Sequence, residues 1–198
     1  LQRHPELVGL PVIVGGSGDP TEPRKVVTCA SYEAREFGVH AGMPLRAAAR
    51  RCPEATFLPS DSAAYDAASD RVMALLRDLG HPVEVWGWDE AYVGADVEDP
   101  RALGRRIQEV IAAETGLSCS VGLSDNKQRA KVETGFGKLA GLHAHTSDNW
   151  LSTMGQRECA RLRGVRSNPS KNLAATHTTT LSTLAAPGHI GRTQPRGR

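Results

Sequence analysis

An α+β fold, with helices packed on a largely antiparallel sheet, is what this 198-residue sequence predicts, and three observations carry the prediction. Short apolar runs alternate with amphipathic segments of helical period from Leu10 to Phe136. Two strand-like runs, 81–88 and 91–95, flank Asp89-Glu90 and form a hairpin in the middle of the chain. At 39% hydrophobic and 23% charged residues, the composition sustains a packed core and excludes a chain disordered throughout.

Leu10 to Val14 is an apolar run that predicts a strand, ended by Gly15-Gly16-Ser17-Gly18-Asp19-Pro20 as a loop. Those glycines lack the Gly-Lys-Ser/Thr ending of a phosphate loop and read as a flexible turn. Val26 to Ala30 reads as a second strand entering a helix over 31–37, with Gly38 as its stop, and a further helix fits 44–51, closed by Cys52-Pro53. The best-patterned helix is 61–79, where Tyr65, Ala68, Val72, Leu75, Leu76 and Leu79 recur at three- and four-residue spacing behind a Ser60 or Asp61 cap. Leu103, Ile107, Val110 and Ile111 share one face of a helix over 101–115, 117–121 alternates as a strand, and Ser124 or Asp125 caps a helix running toward Phe136. Beyond His143 only a short helix over 148–154 is legible, and 157–198 lacks sustained apolar periodicity.

No apolar run approaches the roughly 18 residues that span a bilayer, and Leu1 to Pro5 is not a signal peptide, so a soluble, cytoplasmic protein is expected. The absent initial Met suits a fragment or a processed chain. Of 24 Lys+Arg and 22 Asp+Glu, 8 and 2 fall after residue 142, leaving 16 and 20 before it: a mixed-charge body and a basic end. Cys29, Cys52, Cys119 and Cys159 form no C-x-x-C pair and read as reduced thiols.

Chemistry concentrates at Asp89-Glu90. Adjacent residues of a regular strand point to opposite faces, so two neighbouring carboxylates converge on one ion only where the chain turns or bulges. A hairpin tip offers that geometry, and paired carboxylates are hard oxygen ligands suited to Mg²⁺. Taken alone, the dipeptide reads as a solvated acidic turn before it reads as a metal site. The surrounding motifs reverse that order. The runs SYEAREFGVHAGMPLRAA (31–48), PVEVWGWDEAY (82–92) and TGLSCSVGLSDNKQRAK (115–131), followed by GFGK (135–138), resemble in order and spacing the Y-family DNA polymerases of the bacterial DNA polymerase IV type, over roughly residues 5–155. LPVIVGG resembles the family strand that precedes the fingers.

The resemblance implies a ferredoxin-like polymerase palm lacking its first strand, with a small fingers subdomain and a degenerate thumb remnant. Its boundaries are 1–60 fingers, 61–142 palm, 143–165 thumb remnant and 166–198 basic tail. It implies template-directed nucleotidyl transfer in DNA repair, on primer-template DNA and a deoxynucleoside triphosphate, with two Mg²⁺ ions; no segment reads as a sliding-clamp contact. Carried across by match, Asp89 bridges the metals, Glu90 binds the metal that activates the primer 3′-hydroxyl, and Tyr32, Arg35 and Lys138 hold the triphosphate. Without the family these three read as a half-buried aromatic, a helix-surface charge and a solvated lysine. Gly42, Met43 and Pro44 resemble the fingers turn and are expected to pack; Lys127 and Lys131 read as a solvated face or as DNA-phosphate contacts; Val83, Val85 and Tyr92 are expected in the core. His143 and His145 are spaced like a metal pair, but with no matching third ligand they read as linker residues.

Five departures from the family pattern stand out. The Asp-x-Asp strand, with its third carboxylate and sugar gate, has no counterpart here, so weak or no catalysis is expected. Cys29 stands where a hydroxyl residue is usual, Glu133 where a small residue is usual, and Leu139 where proline is usual. The helix-hairpin-helix turn opened by Gly164-Val165 is not completed by Arg166-Ser167-Asn168-Pro169, and the loss of periodicity near 157 reads as coding sequence translated out of frame. Two other classes remain: a non-catalytic DNA-binding accessory protein of the same family, and a nucleotide cyclase, whose paired glycines Trp86-Gly87-Trp88 does not reproduce.

Overall fold

The computed structural model describes residues 2–157 and 180–182. The incomplete helix-hairpin-helix turn at 164–169, and the basic tail apart from 180–182, lie outside the described residues. The chain divides into two compact units, Leu1–Asp70 and Arg71–Arg198.

In the first unit β1 (Val12–Val14) is the middle strand, antiparallel to β2 (Cys29–Ala30) and parallel to β3 (Thr56–Leu58). Ile13 is buried completely, and Val27, Ala34, Val39, Leu45, Ala48 and Cys52 close around it. Two short helices, α1 (Tyr32–Glu36) and α2 (Leu45–Arg51), supply the last residues of that core. Ser31 ties the start of α1 to the sheet: its Oγ accepts from the N–H groups of Ala34 (3.3 Å) and Val12 (3.0 Å) and donates to the Leu10 carbonyl (3.1 Å). Met43 is buried, and the exchange of Val27 N–H to Met43 O and Gly42 N–H to Val27 O, both 2.8 Å, ties the 42–44 turn down; of the three residues expected to pack, Met43 does, while Gly42 and Pro44 are exposed.

Helix α3 (Ser62–Asp78) crosses the boundary between the units and begins at Asp61, whose Oδ1 accepts the Ala64 N–H at 3.1 Å. The second unit continues with β4 (Val83–Val85), β5 (Ala91–Val93), α4 (Pro100–Thr115), β6 (Val121–Leu123), α5 (Lys127–Phe136), β7 (Leu142–Ala144) and α6 (Ser147–Met154). From α3 to β6 the order is αββαβ, which matches the last five elements of a ferredoxin-like βαββαβ. Met73 and Leu76 of α3 meet Ile107 and Ile111 of α4, and Val83, Ala91, Val93 and Val121 pack against them from the strands. Among the described residues the antiparallel β4–β5 pair and the parallel β6–β7 pair share this helical cover without hydrogen-bonding to each other. A smaller cluster gathers Trp150, Met154 and Leu181, with Val132 and Phe136 against it.

Several elements differ from their prediction. The strand expected over 117–121 forms at 121–123 instead: Gly116 caps α4 in the left-handed region, Ser120 Oγ donates to the Gly137 carbonyl at 2.7 Å, and pairing starts only at Val121 opposite Leu142. The cap of α5 is Asn126, not Ser124 or Asp125; its Oδ1 accepts the Arg129 N–H at 3.0 Å. Val85, expected in the core, is exposed at the end of β4, where its partner is only Ala91. Strands β3 and β7 were not legible at all; each forms as the parallel partner of an earlier strand, β1 and β6.

Candidate active site

The acidic pair sits where the hairpin turns. Trp86 N–H donates to the Glu90 carbonyl at 2.8 Å and closes the turn between β4 and β5, placing Asp89 in solvent and Glu90 half-buried at the entrance to β5. Opposite lies α5, whose Lys127 and Lys131 are one helical turn apart and face the hairpin together. The Lys131 ammonium pairs with Glu90, and the Lys127 ammonium pairs with Glu84. Neither lysine is therefore simply part of a solvated face.

Trp86 Nε1 donates to the other oxygen of Glu84, and the Trp86 ring meets Tyr92 edge-on at 5.8 Å. The Lys127 hydrogen bond, and after it that of Trp86, holds the Glu84 carboxyl below the usual carboxylate range. The donor set of Asp89 and Glu90 fits a hard divalent cation. Lys131 already supplies one positive charge beside Glu90, so an ion there shares or displaces that pairing.

Tyr32 and Arg35 meet on the surface of α1 in the first unit. The guanidinium lies 4.9 Å from the Tyr32 ring centroid, and its Nε donates to the Ala30 carbonyl at 3.0 Å, which fixes the arm while the phenol stays exposed. Cys29, just before them, is exposed at the start of β2.

Lys138, in the second unit, is exposed in the turn that follows α5. This turn is tight: Gly141 N–H donates to the Gly137 carbonyl at 2.7 Å, and Leu139 and Ala140 both take left-handed backbone, φ +69° and +73°. Proline, fixed near φ −65°, does not fit at Leu139 in this conformation. Gln108 of α4 braces it, its Nε2 lying 2.8 Å from the Ala140 carbonyl and 3.0 Å from that of Cys119.

Sequence reasoning noted Glu133 only as a departure from the family pattern and did not join it to His143 and His145. Glu133, on the face of α5 turned toward β6 and β7, is completely buried, and its Oε2 lies 2.6 Å from Nδ1 of His145 and 3.1 Å from Nδ1 of His143. The two histidines are not linker residues. They stand two apart along β7 and its end, hence on one side of the strand, and the third group they lacked is Glu133. The signal was present as a charged residue interrupting the buried stripe of α5 and a His-x-His at strand spacing; what joins them is the register of helix on sheet.

Comparison with known proteins adds relatives. The family described as impB/mucB/samB matches residues 1–135. DNA polymerase IV 2 of Mycobacterium tuberculosis (strain ATCC 25618 / H37Rv) is 63% identical over 188 residues, 93% of this chain and 54% of that protein. DNA polymerase IV of Methanoculleus marisnigri is 36% identical over 191 residues, 93% of this chain and 52% of that protein. Among solved structures, DinB from Sulfolobus solfataricus superposes with a TM-score of 0.83 at 27% identity, covering 92% of this chain and 55% of that one. An insertion ternary complex of Dbh DNA polymerase gives 0.81 at 28% identity, with 90% and 54% covered. The chain spans about half the length of the curated relatives it matches.

Proposed function

The chain belongs to the impB/mucB/samB family, the Y-family DNA polymerases of the DNA polymerase IV type, and on that premise we propose that it supplies the fingers and palm of a cytoplasmic translesion enzyme. The fingers take residues 1–60 and the palm 61–142. The observation that carries this reading is the Asp89-Glu90 pair at the turn of the β4–β5 hairpin, faced by the lysines of α5. Asp89 and Glu90 would hold Mg²⁺, which would supply polarisation of the α-phosphate and a lowered pKa for the primer 3′-hydroxyl. The chain's own contribution is to position charge. Glu90 exchanges its Lys131 partner for the cation, the Tyr32 hydroxyl and the Arg35 guanidinium donate to triphosphate oxygens, and Lys138 adds a point charge to the same group.

With Asp89 and Glu90 as the carboxylates it offers to metal, the 198-residue polypeptide by itself binds primer-template DNA and extends it weakly. Fluorescence anisotropy with a labelled primer-template, run beside primer extension in Mg²⁺, tests both halves. Salt-dependent binding with faint extension, lost in Asp89→Asn, is expected. Extension undiminished in Asp89→Asn removes the carboxylate assignment, whereas binding with no extension at all favours the accessory reading.

A further inference from the structure

We propose that Glu133, His143 and His145 form a binding site for a divalent transition ion of the zinc class, separate from the Asp89-Glu90 pair. One ligand atom from each residue lies within 4.8 Å of the other two. In a tetrahedral site with bonds of about 2.0–2.1 Å, donor atoms sit about 3.3 Å apart, so the distances of 2.6 and 3.1 Å from Oε2 to the two Nδ1 atoms need open by about 0.7 and about 0.2 Å, within reach of side-chain rotation.

The second, independent observation is Oε1 of Glu133. It is buried and has no hydrogen-bond partner among the described residues, while both imidazoles crowd onto Oε2. A carboxylate buried only as an ion-pair partner is best stabilised when its donors are spread over both oxygens. Three donor atoms gathered about one point, with a fourth aimed nowhere else, is the pattern of a ligand set.

The surroundings suit such an ion. The Phe136 ring lies 5.4 Å from His143 and 6.1 Å from His145, and Trp150 meets His145 edge-on at 6.4 Å, giving the cluster an apolar wall. The His143 side chain is 44% exposed, which leaves an entry path and a fourth position for water. Two imidazoles and one carboxylate favour zinc, cobalt or nickel over Mg²⁺, which prefers oxygen ligands throughout. Binding requires the Nδ1 lone pairs, so both rings adopt the Nε2–H tautomer and any extra proton leaves to solvent. Its effect is to fasten α5 to β7, on either side of the turn that carries Lys138.

The test uses the untagged 198-residue polypeptide, stripped with chelator and titrated with Zn²⁺. Equilibrium dialysis with metal analysis is expected to give one ion per chain at a strong site. The melting temperature is expected to rise by about 5 °C or more at roughly 100-fold excess over Kd, with no rise in equal Mg²⁺. Co²⁺ is expected to give the visible ligand-field absorption of a tetrahedral nitrogen-oxygen site. His143→Ala removes a ring already half in solvent, so the protein folds and loses affinity at least about tenfold; Glu133→Ala behaves alike if it folds. Absence of stoichiometric binding, or binding unchanged in His143→Ala, overturns the proposal.

Discussion

Replacing Gly122 by Ala tests whether α5 rests directly on β6. Gly122 has no positive φ, so alanine takes its backbone conformation without strain, and in an open position the change adds about 0.4–1 kcal/mol by restricting the unfolded chain. Here the sign reverses. A Cβ built on Gly122 meets the Ala130 carbonyl oxygen at 2.1 Å, the Thr134 nitrogen at 2.7 Å and Cβ of Glu133 at 2.8 Å. The first is about 1.3 Å short of ordinary contact at 3.4 Å, and two of the three atoms are helix backbone that cannot rotate aside. Helix α5 must therefore lift, drawing Glu133 off His143 and His145. Overpacking of this kind costs about 2–3 kcal/mol, which lowers the melting temperature of a chain this long by roughly 4–12 °C. Thermal unfolding followed by circular dichroism reads it directly. A melting temperature equal to or above that of the parent refutes the close approach of α5 and β6, and with it the geometry that brings Glu133 to the histidines.

Two other outcomes follow from the same helix. Gly135 lies in α5 with nothing within 4 Å of a built Cβ, so Gly135→Ala is expected to stabilise by about 0.5–1 kcal/mol in the same unfolding assay. The Glu84 carboxyl, lowered by Lys127 and then Trp86, contributes stability that is present above its ordinary pKa and is lost as pH falls through the lowered folded value. Carbon-detected NMR of the Glu84 carboxyl is expected to show a depressed midpoint that climbs toward the ordinary value of about 4.3 in Lys127→Ala.

The long helices were legible because their signals are local. In α3 and α4 the apolar spacing, a side-chain cap and a closing glycine all sit within the element, and the bounds fall within about two residues of their prediction. Strands β3 and β7, no shorter than β1, β4 and β5, carry no such signal. β3 and β7 exist because β1 and β6 offer them a parallel partner, and β6 itself starts at Val121 only because Leu142 lies opposite. Asp89-Glu90 could be picked out because its two carboxylates are neighbours in sequence and the motif text around them is specific. The Glu133 cluster could not, because its members meet through tertiary register: ten and twelve residues separate Glu133 from its histidines, and no spacing rule links a helix face to the strand that follows it.

That register makes α5 a helix with two electrostatic tasks. Lys127 and Lys131 present positive charge to the acidic hairpin, while Glu133, only two residues after Lys131 and so on another face, carries negative charge into the interior. In most packed helices the inward face is held by apolar contact, which tolerates sliding by fractions of an ångström at little cost. A buried carboxylate with two convergent imidazoles does not, because every displacement lengthens a short polar contact in a medium of low dielectric. Glu133 is thus a rigid pin for the helix that neutralises Glu90. The two departures from the family pattern at 133 and 139 also belong to one local solution: the pin at Glu133 and the left-handed turn at Leu139 and Ala140 together set where α5 ends and where Lys138 emerges. A change at Glu133 therefore acts at Glu90 and Lys138 through the position of the helix.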